Sequence, residues 1–189
     1  MLIGLLSDTH IAFKSQILPP QIKEVFRGVD LILHMGDVWI PDILDELETV
    51  APVLAARGDD DMDEDFGPDS RMEKRQVLHF DGITLWAMHI KPRYGLIAPN
   101  AQPNSYSGIF NRNRYLAEQE TEDPPDVVVF GHSHFAEIEH YKGVLLVNPG
   151  SPTMPSYLPK LGTVGLLEVS NGKAEARLVK LEEPRSLSG

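Results

Sequence analysis

The 189-residue chain is long enough for one domain whose core folds without covalent staples, and the absence of cysteine excludes disulfides, thiolate zinc sites and cysteine nucleophiles. With 28 acidic against 17 basic residues the formal charge is -11, so the average surface repels phosphate backbones and a scaffold role on nucleic acid is disfavoured. A phosphorylated substrate would have to be drawn in by a local positive charge, and bound metal is a direct source of one.

Met1-Leu2-Ile3-Gly4-Leu5-Leu6 lacks a basic flank and meets Asp8 too soon for a signal peptide, and no apolar run reaches membrane-spanning length. The expectation is a cytoplasmic protein. Strand-like and helix-like segments alternate in the first half: Leu2–Leu6, Pro20–Val29, Asp30–His34, Pro41–Val50 and Pro52–Ala56. Proline opens both helical segments, where its missing N–H costs nothing, and the β-α-β-α-β order predicts a parallel sheet with crossover helices. The acidic run from Asp59 to Asp65 follows, read at its distal end as a solvated loop. Gln76–Phe80 and Ile83–His89 flank Asp81-Gly82, a two-residue hairpin signal, and Lys142-Gly143 and Asn171-Gly172 mark two more tight turns. The second half therefore reads as mostly antiparallel. Between the hairpins, residues 91–108 are irregular and Ile109–Glu120 is helix-like. One domain over residues 1–181, with a flexible tail at 182–189, is expected.

Candidate metal ligands recur at the C-terminal ends of these strands, the edge where open α/β sheets build their sites. Asp8 and His10 follow the first strand, Asp37 the second and Asp59 the third; His89, His132 and His134 follow later ones. Alternate residues of a strand or its extension face one side, so Asp8 with His10, and His132 with His134, can each aim two ligands at one place. Gly36, Gly58 and Gly131 each precede a ligand, as a backbone turning beside a crowded site requires. Three carboxylates and four imidazoles suit divalent Mn, Fe, Ni, Zn or Co. Seven ligands exceed the needs of one ion and fit two ions about 3.5–4 Å apart sharing a carboxylate and a bridging hydroxide, an arrangement that hydrolyses phosphate esters.

In order, Ser7-Asp8-Thr9-His10, Gly36-Asp37, Gly58-Asp59-Asp60-Asp61, His89, Gly131-His132-Ser133-His134 and Asn148-Pro149-Gly150-Ser151 resemble the signature of calcineurin-like metallophosphoesterases, closest in length to the small bacterial and archaeal phosphodiesterases. The resemblance covers about residues 1–180. It implies an α/β fold, a four-layer α/β/β/α sandwich with mixed sheets and the metals at one edge. It places Asp8, His10, Asp37 and His134 on a first ion, and Asp37, Asp59, His89 and His132 on a second, with Asp37 bridging. Manganese heads the candidate metals. The implied reaction is phosphodiester hydrolysis of a small-molecule phosphoester by the hydroxide between the ions, with Asp37, His132, Asp60 and Asp61 as the catalytic block.

Three departures qualify the resemblance. Asp59 stands where such proteins carry Asn; with three carboxylates against two divalent ions the site sums to about +1 instead of +2, which favours singly charged diesters over monoester dianions. Asp60 takes the place of a histidine that serves larger relatives at the leaving group. A carboxyl there acts as a general acid only with a strongly raised pKa, which metal opposes. His89 is followed by Ile90 where glycine is usual, leaving Lys91, Arg93, Tyr94 and the loop to Gly108 as candidates for phosphate or leaving-group contacts. His34, His79 and His140 fall outside the ligand set, and residues 148–151 read as a turn beneath the site.

A second reading stays open: a protein-binding scaffold on the same fold, as the retromer small subunit is, for which Ile11, Phe13, Ile17 and Leu18 offer the best apolar patch. All four histidines and both leading aspartates are retained, which favours the enzyme.

Overall fold

The computed structural model describes residues 1–13, 15–93 and 124–183. Its elements run β1 (Leu2–Leu6), α1 (Pro20–Val25), β2 (Leu31–His34), α2 (Asp42–Glu48), β3 (Val53–Ala56), α3 (Asp63–Phe66), β4 (Met72–Glu73), β5 (Arg75–Phe80), β6 (Ile83–Met88), β7 (Val127–Val129), β8 (Glu137–Tyr141), β9 (Val144–Asn148), a 3-10 turn (Pro155–Tyr157), β10 (Thr163–Ser170) and β11 (Lys173–Lys180). The β-α-β-α-β order of the first half is present, with proline at the start of α1 and at the cap of α2.

Two mixed sheets stack. The first has the order β11-β10-β1-β2-β3-β4, and the second β5-β6-β7-β9-β8. Strands β1 to β4 are parallel, whereas β10 runs antiparallel to β1, pairing Leu2 with Glu168. The three tight turns close antiparallel hairpins as read. The second half is less antiparallel than expected, because β7 pairs in parallel with β6 and β9. Val127, Val128 and Val129 are buried on both faces, so this strand shows no alternation that could declare its direction.

Strand alternation builds the core. Ile3 and Leu5 of β1, with Leu31 and Leu33 of β2, meet Leu85, Ala87, Val127, Val129, Leu145 and Val147 between the sheets. The opposite face packs Leu6 and Ile32 against Ile22 and Phe26 beside α1 and against Ile43, Leu44 and Leu47 of α2. Gly4 makes room there, since a Cβ at that position would lie 3.0 Å from the Phe26 ring. Burying a ring of this size stabilises by roughly 2–3 kcal/mol.

On the outer face of the second sheet, Trp86, Val128, Phe130 and Leu146 form a smaller cluster, with Arg75 over Trp86 at 4.4 Å and Lys91 over Phe130 at 5.1 Å. No helix among the described residues covers that face. The helix read at Ile109–Glu120, the irregular stretch from Tyr94 to Gly108, and residues 184–189 of the tail lie outside the described residues.

Candidate metal centre

The stacking brings the C-terminal ends of parallel strands from both sheets to one edge. Loops after β1 and β2 carry Asp8, His10 and Asp37; Asp59 follows β3, His89 follows β6, and His132 and His134 follow β7. Two groups of donor atoms result, each within 4.8 Å: Asp8, His10, Asp37 and His134, and Asp59, His89 and His132. Asp37 joins them, its Oδ2 lying 3.4 Å from His10 Nε2 in the first group and 3.4 Å from His89 Nε2 in the second. His10 Nε2 is 3.1 Å from His134 Nε2, and His132 Nδ1 is 3.2 Å from both Asp59 Oδ1 and His89 Nε2. Ligands bound at about 2.0–2.2 Å lie about 3 Å from one another, so these spacings fit nitrogen and oxygen donors of transition-metal sites.

The local backbone is not the extended strand that alternation implied. Asp8, His10, Asp37, His132 and His134 all adopt positive φ, between 45° and 68°, a region that costs a non-glycine residue on the order of 1 kcal/mol or more and collects at functional sites. Paired ligands therefore converge through left-handed turns. These turns are held: Asp8 N–H donates to Gly36 O at 2.9 Å, His10 N–H to Asp37 O at 3.0 Å, and His132 N–H to Asp8 Oδ1 at 3.0 Å. Gly36 is itself left-handed, but Gly58 and Gly131 are required by proximity, because a Cβ at either would collide with Asp37 or Ser7.

Histidine tautomers are set from behind. His89 Nδ1 donates to Met35 O at 2.7 Å and His134 Nδ1 to Met154 O at 2.8 Å, leaving each Nε2 lone pair for the centre. Behind them His34 is fully buried, accepting from Gly36 N–H at Nδ1 and meeting Thr9 Oγ1 at Nε2, 3.1 Å away. Burial pushes its pKa down to about 3, so it is a neutral structural ring. His79 and His140 sit on exposed strand positions away from both groups.

The electrostatics favour a cation. Burial raises Asp8 above the usual carboxylate range and pushes Asp37 up to about 6, and desolvated carboxylates call for a counter-charge or a metal. Burial, then the neighbouring His134, lowers His10. Burial also works against charge on His89, yet Asp37 and the other carboxylates outweigh it and raise the ring's pKa. Asp59, more open, is opposed by burial but lowered by backbone hydrogen bonding and by His89 and His132.

Asp61 is not placed to touch a substrate. Its buried Oδ1 accepts from Val38 and Trp39 N–H, and its Oδ2 from Asp37 and Gly58 N–H, at 2.7–2.9 Å. Both oxygens are consumed in joining the Asp37 loop to the Asp59 loop, which makes Asp61 a positioning residue. Asp60 lies half-exposed beside the centre, its N–H on Asp37 Oδ1 at 3.1 Å and its Oδ2 3.8 Å from His10 Nδ1. In the acidic run, Asp63 pairs with Arg57 at 2.6 Å, and residues 63–66 form a helical turn instead of the expected loop.

Lys91, a candidate phosphate contact, is committed to Glu137 and Glu139 at 3.0 and 2.9 Å. Arg93 is exposed, and Tyr94 lies outside the described residues. Asn148 donates to Gly131 O and Ser133 Oγ, and Ser151 Oγ donates to Asp8 O at 2.7 Å. These residues brace the ligand loops from below.

Tyr157 went unnoticed in the sequence. Its ring stacks on His134 at 4.1 Å with a 24° tilt, and its hydroxyl donates to His132 O at 3.2 Å. Ser156 and Tyr157 are both left-handed. Nothing near Pro155 in sequence announces a contact with residues 132–134; only the loop's return to the site creates it.

Among curated proteins, the chain is 36% identical to a probable metallophosphoesterase of Methanothermobacter thermautotrophicus over 100% of this chain and 98% of that one. It is 33% identical to a probable metallophosphoesterase of Methanocaldococcus jannaschii over 97% and 83%. Among solved structures, zinc-complexed Vps29 of Entamoeba histolytica superposes with a TM-score of 0.62 at 20% identity, over 95% of this chain and 99% of the other, which is a likeness of fold. Residues 1–172 match the calcineurin-like phosphoesterase superfamily domain, and by that match and by its archaeal relatives the chain belongs to this superfamily.

Proposed function

We propose that the protein is a phosphodiesterase working with two divalent transition-metal ions, manganese first among the candidates. The observation that carries this reading is Asp37, whose Oδ2 stands equally distant from a histidine of each donor group while its Oδ1 is held by the Asp60 N–H. One oxygen is thus anchored and the other is free to be shared. Asp8, His10 and His134 would complete one ion's donors, and Asp59, His89 and His132 the other's. A bound pair supplies Lewis-acid charge neutralisation and an acidified water.

The chain's own residues do the rest. Asp8 and Asp37 are almost fully buried, so the inner side of the centre is closed to bulk water. The side chains of Asp59, Asp60 and His132 are about half exposed, so this rim is where an ester enters. The third carboxylate, Asp59, lowers the net positive charge and favours a singly charged diester over a monoester dianion.

The test is turnover of a chromogenic aryl phosphodiester and the matching monoester by metal-stripped protein supplemented with Mn, Ni, Fe, Zn or Mg, alongside Asp37→Asn and His132→Ala. Metal-dependent diester hydrolysis that disappears in both variants supports the proposal. Tight metal binding without turnover of either ester favours the scaffold reading, for which the likeness to Vps29 is the supporting observation. The apolar patch named for that reading is half core: Ile11 and Leu18 are buried, and only Phe13 and Ile17 are exposed.

A further inference from the structure

A cleft of about 350 Å³ opens beside the metal centre, lined by Ala12, Trp39, Ile40, Asp60, Met62 and Asp65. It shares a wall with the first donor group: the Trp39 ring meets His10 edge-on at 5.2 Å, and the Asp60 N–H holds Asp37 Oδ1. Trp39 is fixed there at φ 77°, its N–H on Asp61, a strained setting for a bulky residue of the kind that marks ligand clamps. The volume suits a small organic group.

We infer that this cleft receives one alcohol arm of the diester and that the arm is cationic, an amino-alcohol carrying an ammonium group. The inference rests on the phosphoesterase reading. Four of the six lining residues are apolar, two are carboxylates and none is basic. Elsewhere in the acidic run, Asp61 is met by four N–H groups, Asp63 by Arg57, and Asp59 by His89 and His132, while Glu64 lies outside the cleft lining. No cation is found on Asp65 among the described residues, and Asp60 has only the more distant His10. A further phosphate on this arm would face two carboxylates, whereas an ammonium group gains both of them and an indole, the aromatic partner cations prefer.

The experiment compares two p-nitrophenyl phosphodiesters, one with a choline arm and one with its neutral isostere, a 3,3-dimethylbutyl arm. In each, water adds to phosphorus, the P–O(aryl) bond breaks, and nitrophenolate departs while solvent takes the proton. The expected kcat/KM favours choline by about tenfold. Asp65→Asn reduces the preference to about threefold or less, by lowering kcat/KM for the choline diester more than for the neutral one. Independently, tetramethylammonium titrated into metal-free protein perturbs Trp39 fluorescence in a Trp86→Phe background, and less so with Asp65→Asn. Hydrolysis of both diesters without preference, or faster turnover of a thymidine arm, overturns the inference and leaves the phosphoesterase reading standing. If no ester is turned over with any metal, that reading fails and the titration alone decides whether the cleft takes a cation.

Discussion

Asp61 shows how much of the centre hangs on a residue that touches no metal. Replacing it with alanine strips four backbone N–H groups of their acceptor at the junction of two ligand loops; with partial rehydration this costs about 3 kcal/mol, measurable by urea unfolding of metal-free protein. Asp61→Asn, which keeps one carbonyl oxygen, loses less. Tyr157 can be dissected the same way. Tyr157→Ala removes both the stack on His134 and the bond to His132 O, and weakens manganese binding about ten- to a hundredfold by calorimetry, the range for groups that orient ligands; Tyr157→Phe, which keeps the stack, loses less. Equal affinity in wild type and Tyr157→Ala would show that the Asn148 bonds to Gly131 O and Ser133 Oγ hold the His132–His134 loop without it. The seven candidate donors, which the structure gathers in two groups, were legible because aspartate and histidine at strand ends are distinctive in kind. Their supports were not, since Asp61 and Tyr157 differ from ordinary residues only in what a distant loop brings to them, and left-handed backbone at five non-glycine positions has no signature in composition.

Among the elements, α2 is tied to the loop after α3 by Arg71, which contacts Asp45 and Glu48 of the helix and Asp69 of the loop at 2.6–3.0 Å. Hydrogen bonding to Arg71 holds the Asp69 carboxyl below its usual range. Its contribution is therefore present above the unfolded carboxyl pKa and is lost as pH falls through the lower folded value. Asp69→Asn is accordingly less stable than wild type by about 1–2 kcal/mol near neutrality, and the gap narrows as pH falls through the lowered folded value, as thermal melts in acid will show. The early β-α-β-α-β order was readable because proline starts and apolar periodicity agree there. Helix α3 was hidden by its charge, since Asp63, Glu64 and Asp65 resemble any solvated run until Phe66, buried against the core, pins the turn. The parallel pairing of β7 was hidden by its shortness and uniform burial.

For the whole molecule, the metal-free state carries a penalty that metal removes. Asp37, pushed up to about 6 by burial, stabilises the metal-free fold in its protonated form below the unfolded pKa, and that benefit is lost as pH rises through about 6. A metal needs the ionised carboxylate and competes with the proton. The rise in Tm on adding manganese is therefore expected to grow from pH 5 to pH 7.5, most steeply around pH 6; a rise independent of pH would place Asp37 outside the metal's reach. The pairing of β1 with β10 bears on the protein's birth. Strand β1 lies beside one that emerges some 160 residues after it, Leu2 against Glu168, and contacts so distant in sequence form slowly. A ribosome that has passed His134 has already made every donor, yet β1 is still a raw edge and the Asp8 loop lacks the bond from Ser151. Cation binding is thus expected to await β10, and a chain truncated after residue 150 should take up manganese far more weakly than one that runs through residue 181.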